Sequence, residues 1–153
     1  SSTGYHFSGG HFRRLFHSFD HKAVFLLIAG TYTPLLLVTL RHSGGLTLLV
    51  LIWCMAIFAM TLDSLKIKKK GRVRIILSLS MGWLILILGG SLIELMPFYG
   101  LCWLVAGGFF YSAGVPFYVY EHSNRYFHGI WHLFVLTGSL NHFILVYSYI
   151  LPG

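Results

Sequence analysis

Charge is what this sequence has least of. Asp, Glu, Lys and Arg make up 10% of its 153 residues, where soluble globular chains carry about a quarter. That shortfall excludes a soluble domain. Cysteine is nearly missing too: Cys54 and Cys102 both lie inside apolar segments. They supply neither a disulfide framework nor a CxxC site, and both read as small apolar packing residues. No internal repeat and no low-complexity tract stands out. An initiator methionine is absent as well, since the sequence begins at Ser1. The expectation is a chain truncated or processed at that end.

What is present is apolar. The hydrophobic residues, 56% of the chain, fall in blocks of the length that crosses a bilayer, about 20 residues each. Five spans are predicted, at about 23–40, 46–62, 75–93, 99–120 and 127–151. Several spans in one chain exclude reading any of them as a cleaved signal peptide. The predicted fold class is an all-α integral membrane protein, one transmembrane domain over residues 1–153. Ahead of the first span, residues 1–21 are polar, His-rich and Gly-bearing, and Ser1 to Phe7 read as the tail of a helix whose start is missing. Pro34 and Pro116 are expected to kink their helices, which membrane helices tolerate when neighbours satisfy the freed carbonyls. Gly89, Gly90, Gly107, Gly108, Ser112 and Gly114 permit close helix approach.

A net charge of +7 would suit nucleic acid, but the basic residues sit between spans. Because spans alternate in direction, one side collects Arg13, Arg14, Lys22, Lys66, Lys68, Lys69, Lys70, Arg72, Arg74 and Arg125. Only Arg41 falls on the other. The positive-inside rule makes the basic side cytoplasmic and leaves the C-terminus outside. The Lys66–Arg74 run reads as an orientation signal, with anionic head groups as a second use. The expected partners are membrane lipids, a lipid substrate among them, and not nucleic acid.

Against that apolar background the histidines carry the functional signal. His128 and His132 open the last span four residues apart, which puts both imidazoles on one helix face, roughly 6 Å apart along the axis. Ionisable residues within spans are costly and mark functional sites. His6 and Asp20 enter from the same side. His142 lies ten residues beyond His132, about 15 Å deeper, and is expected to hydrogen-bond a neighbouring helix. The pair alone cannot close a metal site, because catalytic zinc takes three protein ligands and one open position. Plainer readings stand beside this one. The pair can bond to neighbouring helices, His6 can be interfacial, and Asp20 can cap the first span. Asp63 is expected to pair with nearby Lys66. His11, His17, His21, His42 and His122 receive no role.

Three separated motifs carry a resemblance. Ser2-Thr3-Gly4-Tyr5-His6, then Phe19-Asp20-His21 with Leu26 through Pro34, then His128-Gly129-Ile130-Trp131-His132-Leu133-Phe134-Val135 resemble the haemolysin III family, within the superfamily of progestin and adipoQ receptors. The resemblance implies a seven-helix transmembrane bundle, of which this chain carries five full spans plus the end of the second helix. It also implies a zinc ion near the cytoplasmic face, held by His6, His128 and His132. By the same resemblance Asp20 contacts the zinc-bound water, and Ser2 belongs to the Ser-x-x-x-His motif.

With those residues the chemistry expected is that of a zinc-dependent lipid amide or ester hydrolase, ceramidase-like. Asp20 would serve as general base and Ser2 as a hydrogen-bonding partner for ligand or oxyanion. Two alternatives are a non-enzymatic receptor or regulator of membrane homeostasis, and a cytolytic protein of the haemolysin type.

Overall fold

A computed structural model describes residues 3–65 and 70–152, with side chains from Leu15 onward apart from His17 and Lys70. Its described residues form helices α1 (Thr3–Pro34), α2 (Leu46–Ser64), α3 (Lys70–Trp83), α4 (Gly89–Leu95), α5 (Phe98–Val119) and α6 (Phe127–Leu145). Five stretches are long and apolar enough to cross a membrane: Ser18–Thr39, Arg41–Ser64, Gly71–Leu95, Phe98–Val119 and Phe127–Ile150. The chain is an all-α, multi-pass integral membrane bundle.

The outer surface explains why so little charge is needed. Phe98, Ile93 and Ile87 are each at least 70% exposed, the inverse of a soluble domain, because hydrocarbon rather than water faces them. Inside, α1 is the central element. Phe25, Ile28, Ala29 and Tyr32 are all buried, at the three- and four-residue spacing that lines one face of a helix. That face meets α2, α3 and α6. Polar bonds fasten the same contacts: Trp53 Nε1 donates to Thr33 Oγ1 at 3.2 Å, and the Tyr32 hydroxyl donates to the Gly82 carbonyl.

The most extensive helix pair is α5 with α6, and small residues make it. A Cβ added at Gly107 would stand 2.2 Å from His142 Cδ2, and one at Gly138 would stand 2.9 Å from Tyr111 Cδ1. Neither position has room for a side chain, so glycine there sets the distance between the helices.

Three details differ from the sequence reading. The polar segment before the first span is helical and continuous with it, so Asp20 lies well inside α1. It cannot cap a helix start, since a capping residue must sit at the first turn. The third span is not one uniform helix: a 3-10 turn at Leu84–Leu88 joins α3 to α4, directly before Gly89-Gly90, the weakest helix formers in that span. Past Pro34 the first span ends in a π-helical turn, Leu35–Thr39, whereas Pro116 is held inside α5. A proline cannot donate to the helix ladder, and a π turn is one way the backbone absorbs that loss.

At the end of the bundle where α2 stops and α3 starts, Asp63 pairs with Arg74, and Arg74 also donates to the Tyr118 hydroxyl of α5. Asp63 therefore ties α2 to α3. Lys66, its expected partner, lies outside the described residues.

Candidate metal centre

The turn between α5 and α6 delivers the first histidine. Asn124 Oδ1 accepts the Tyr126 N–H at 3.0 Å, and the Asn124 carbonyl accepts the Phe127 N–H at 3.1 Å. This is the side-chain-mimics-backbone turn that asparagine favours. It starts α6 at Phe127, so His128 falls in the first turn and His132 one turn below.

The two imidazoles meet at 3.0 Å between their Nε2 atoms. Asp20 Oδ2 of α1 approaches His128 Nε2 at 3.6 Å and His132 Nε2 at 3.5 Å. Three potential ligand atoms from two helices thus form a nearly equilateral triangle. Tetrahedral ligands bonded at about 2.0–2.1 Å lie about 3.3 Å from one another, so the triangle has the dimensions of one face of such a site. Asp20 Oδ2 is itself buried and accepts no hydrogen bond from the described residues. Desolvating a carboxylate oxygen without a donor is costly, and a cation among the three atoms would satisfy it. Among the described residues, Asp20, His128 and His132 are the group that could hold a metal ion.

A second carboxylate orders the pair. His128 Nδ1–H donates to Glu121 Oε2 at 2.8 Å. That bond puts the proton on Nδ1 and leaves the Nε2 lone pair directed at Asp20 and His132. Carboxylates in this position fix the tautomer and orientation of metal-ligating histidines and raise their basicity. Sequence reasoning missed Glu121. The available signal was an acid placed seven residues before His128, in a chain with only four acidic residues.

Aromatic rings back the site from inside the bundle. Trp131 packs against His132 at 4.7 Å and His128 at 5.4 Å between centroids, and Tyr118 stands 5.1 Å from Trp131. His21, which the sequence reading left at a span edge without a role, is buried, with its ring 5.4 Å from that of Tyr118. On the other side the pair faces an open cleft of about 980 Å³. Phe16, Phe19 and Ala23 of α1 form its apolar wall, and His122 and Arg125 form its rim.

Of the residues singled out from the sequence, the structure brings together Asp20, His128 and His132. Ser2 lies outside the described residues, as does the side chain of His6. The backbone of His6 belongs to α1, which over fourteen residues places it about 21 Å along the axis from Asp20. His142 is apart from the cluster as expected: it is buried, and its Nε2 bonds across to the Leu104 carbonyl of α5 at 3.3 Å.

The chain resembles known proteins over nearly all its length. A sequence model of a family described as haemolysin-III related matches residues 1–143. Hemolysin-3 of Bacillus cereus is 42% identical over 139 residues, covering 91% of this chain and 63% of that protein. The Hemolysin-3 homolog of Bacillus subtilis (strain 168) is 38% identical over 130 residues, 85% of this chain and 61% of that one. The monocyte to macrophage differentiation factor of Homo sapiens is 31% identical over 137 residues, 88% and 56% respectively. The chain therefore spans less than two thirds of the length of these relatives. No solved structure matches it.

Proposed function

Because the chain belongs to the haemolysin-III-related family, we propose that it is a membrane protein built around a zinc site and that it hydrolyses a lipid amide or ester. The observation that carries this reading is the triangle of Asp20 Oδ2 and two histidine Nε2 atoms, with separations of 3.0–3.6 Å. Two neutral imidazoles are donors that zinc accepts, and Asp20 Oδ2, 3.5–3.6 Å from both, is placed to reach a zinc-bound water.

The third imidazole of the proposed site is His6, which rests on the family resemblance. Bringing it to the pair requires the chain to turn between His6 and Asp20. Gly9-Gly10 lie within α1 here, and they are where that helix would break most cheaply, since each glycine costs about 1 kcal/mol in a helix interior. Ser2, one helical turn before His6, would travel with it and donate to a substrate oxygen.

Zinc bound there would supply a Lewis acid and make water acidic enough to react near neutral pH. The remaining work falls to the chain itself. Asp20 orients the water and takes its proton as general base. Glu121 holds the His128 ring in register. Trp131 and Tyr118 keep bulk water from the inner side, while the cleft admits substrate from the membrane. By the distribution of basic residues the site faces the cytoplasm, and the C-terminus is outside.

The test is hydrolysis of lipid amides and esters by detergent-purified protein, beside an Asp20→Asn variant. Loss of a general base lowers the rate roughly 10²–10⁴-fold, with zinc content retained. Equal rates for the two proteins would remove Asp20 from the chemistry and favour the non-enzymatic reading, in which zinc is a structural staple.

A further inference from the structure

The cleft beside the triad is not electrically neutral at its rim. Its two carboxylates point away from the rim, Glu121 to His128 Nδ1 at 2.8 Å and Asp20 to the Nε2 pair at 3.5–3.6 Å, where the proposed zinc would offset them. Arg125, which lines the same cleft, forms no ion pair with an acid among the described residues. Its guanidinium carbon lies 4.9 Å over the Tyr126 ring, a cation–π contact that steadies the charge without cancelling it.

Depth gives this cation a direction. Arg125 sits between the spans Phe98–Val119 and Phe127–Ile150, whereas His128 and His132 lie within the latter. The charge is thus at head-group level, and the histidines begin about one helical turn further in. The apolar wall of Phe16, Phe19 and Ala23 runs alongside. In a phospholipid the acyl carbonyls lie directly inside the phosphate, followed by the chains. The order of groups in the cleft (cation, histidine pair, apolar wall) matches the order phosphate, carbonyl, chain. A neutral lipid offers Arg125 hydrogen-bond acceptors but no charge to pair with.

We infer that the cleft takes an acyl lipid with a phosphate head group, Arg125 binding the phosphate and the histidine-lined floor receiving the acyl carbonyl. This rests on the hydrolytic reading above and specifies its substrate class. The water oxygen bonds to the acyl carbon and the C–O or C–N bond breaks. One water proton passes to the departing alcohol or amine, and the other stays with the carboxylic acid formed. Arg125 is a specificity-determining residue and does not touch the reacting atoms.

The experiment compares two lipids that differ only in phosphate, lysophosphatidic acid and the matching monoacylglycerol. Binding to the detergent-purified protein is read by native mass spectrometry, with zinc per chain measured on the same samples. The expected result is a preference for the phospholipid of roughly fivefold, the worth of one Arg near a lipid phosphate. Arg125→Gln loses that preference, Arg125→Lys keeps most of it, and both variants retain the parent's zinc. Equal binding of the two lipids, or a preference that survives Arg125→Gln, overturns the inference. Displacement of the phospholipid by millimolar inorganic phosphate overturns it too, by making this a free-phosphate site. A parent without zinc that still shows the Arg125-dependent preference counts against the zinc reading alone.

Discussion

One helix, α6, carries histidines in two kinds of surroundings. At its start, His128 and His132 are partly exposed, with side-chain accessibilities of 35% and 40%. They face a cleft and meet the carboxylates of Asp20 and Glu121. Near its end, His142 is buried, fills the notch left by Gly107 and bonds to a single backbone carbonyl. The first arrangement gathers more ligand atoms than packing requires and leaves a buried oxygen without a donor among the described residues. The second satisfies one polar group and fits tightly against a neighbouring helix. What separates a site from a packing contact here is surplus donor capacity directed at one point, not the presence of histidine.

That contrast can be sharpened by substitutions at each end. Glu121→Gln keeps the shape of the side chain and weakens its hold on the His128 proton. Losses of such ordering carboxylates lower metal affinity 10–100-fold, so zinc titration against a competing chelator is expected to show a drop of that size with the fold intact. At the other end, Gly107→Ala drives a methyl into the His142 ring. Overpacking of this kind costs about 1–3 kcal/mol, readable as a lower thermal midpoint in detergent with zinc content unchanged. The smallest effect is expected from His142→Leu, which deletes one interhelical hydrogen bond worth about 0.6 kcal/mol and leaves zinc binding as it was. If His142→Leu instead released the metal, the division between the two ends of α6 would collapse.

Much of the fold was legible in the sequence because membrane constraints are strong. Scarce charge and five apolar blocks specify a helical bundle, since only satisfied backbones cross lipid. The pairing of His128 with His132 followed from their four-residue spacing, and the contribution of Asp20 from its place on the same side. Glu121 was not legible: its bond to His128 depends on the turn that Asn124 sets between α5 and α6, and no helical periodicity encodes that. His21 was left without a role for a related reason: it sits at the edge of the first span, and the continuation of α1 through Asp20 turns it inward against Tyr118. Asp63 drew attention to its close neighbour Lys66, which lies outside the described residues; that folding brings Arg74 to it as well, the residue that also reaches Tyr118, no local spacing encodes.

The most direct test of the metal centre is zinc per chain, determined by elemental mass spectrometry. The samples are the protein, its His128→Ala/His132→Ala variant, and its His6→Ala variant. The account predicts about one zinc in the parent and almost none in the pair variant. It also predicts a marked loss in His6→Ala, as the third imidazole is removed. A folded parent without zinc, or a pair variant that keeps it, would contradict the account and return His128 and His132 to the role His142 already plays.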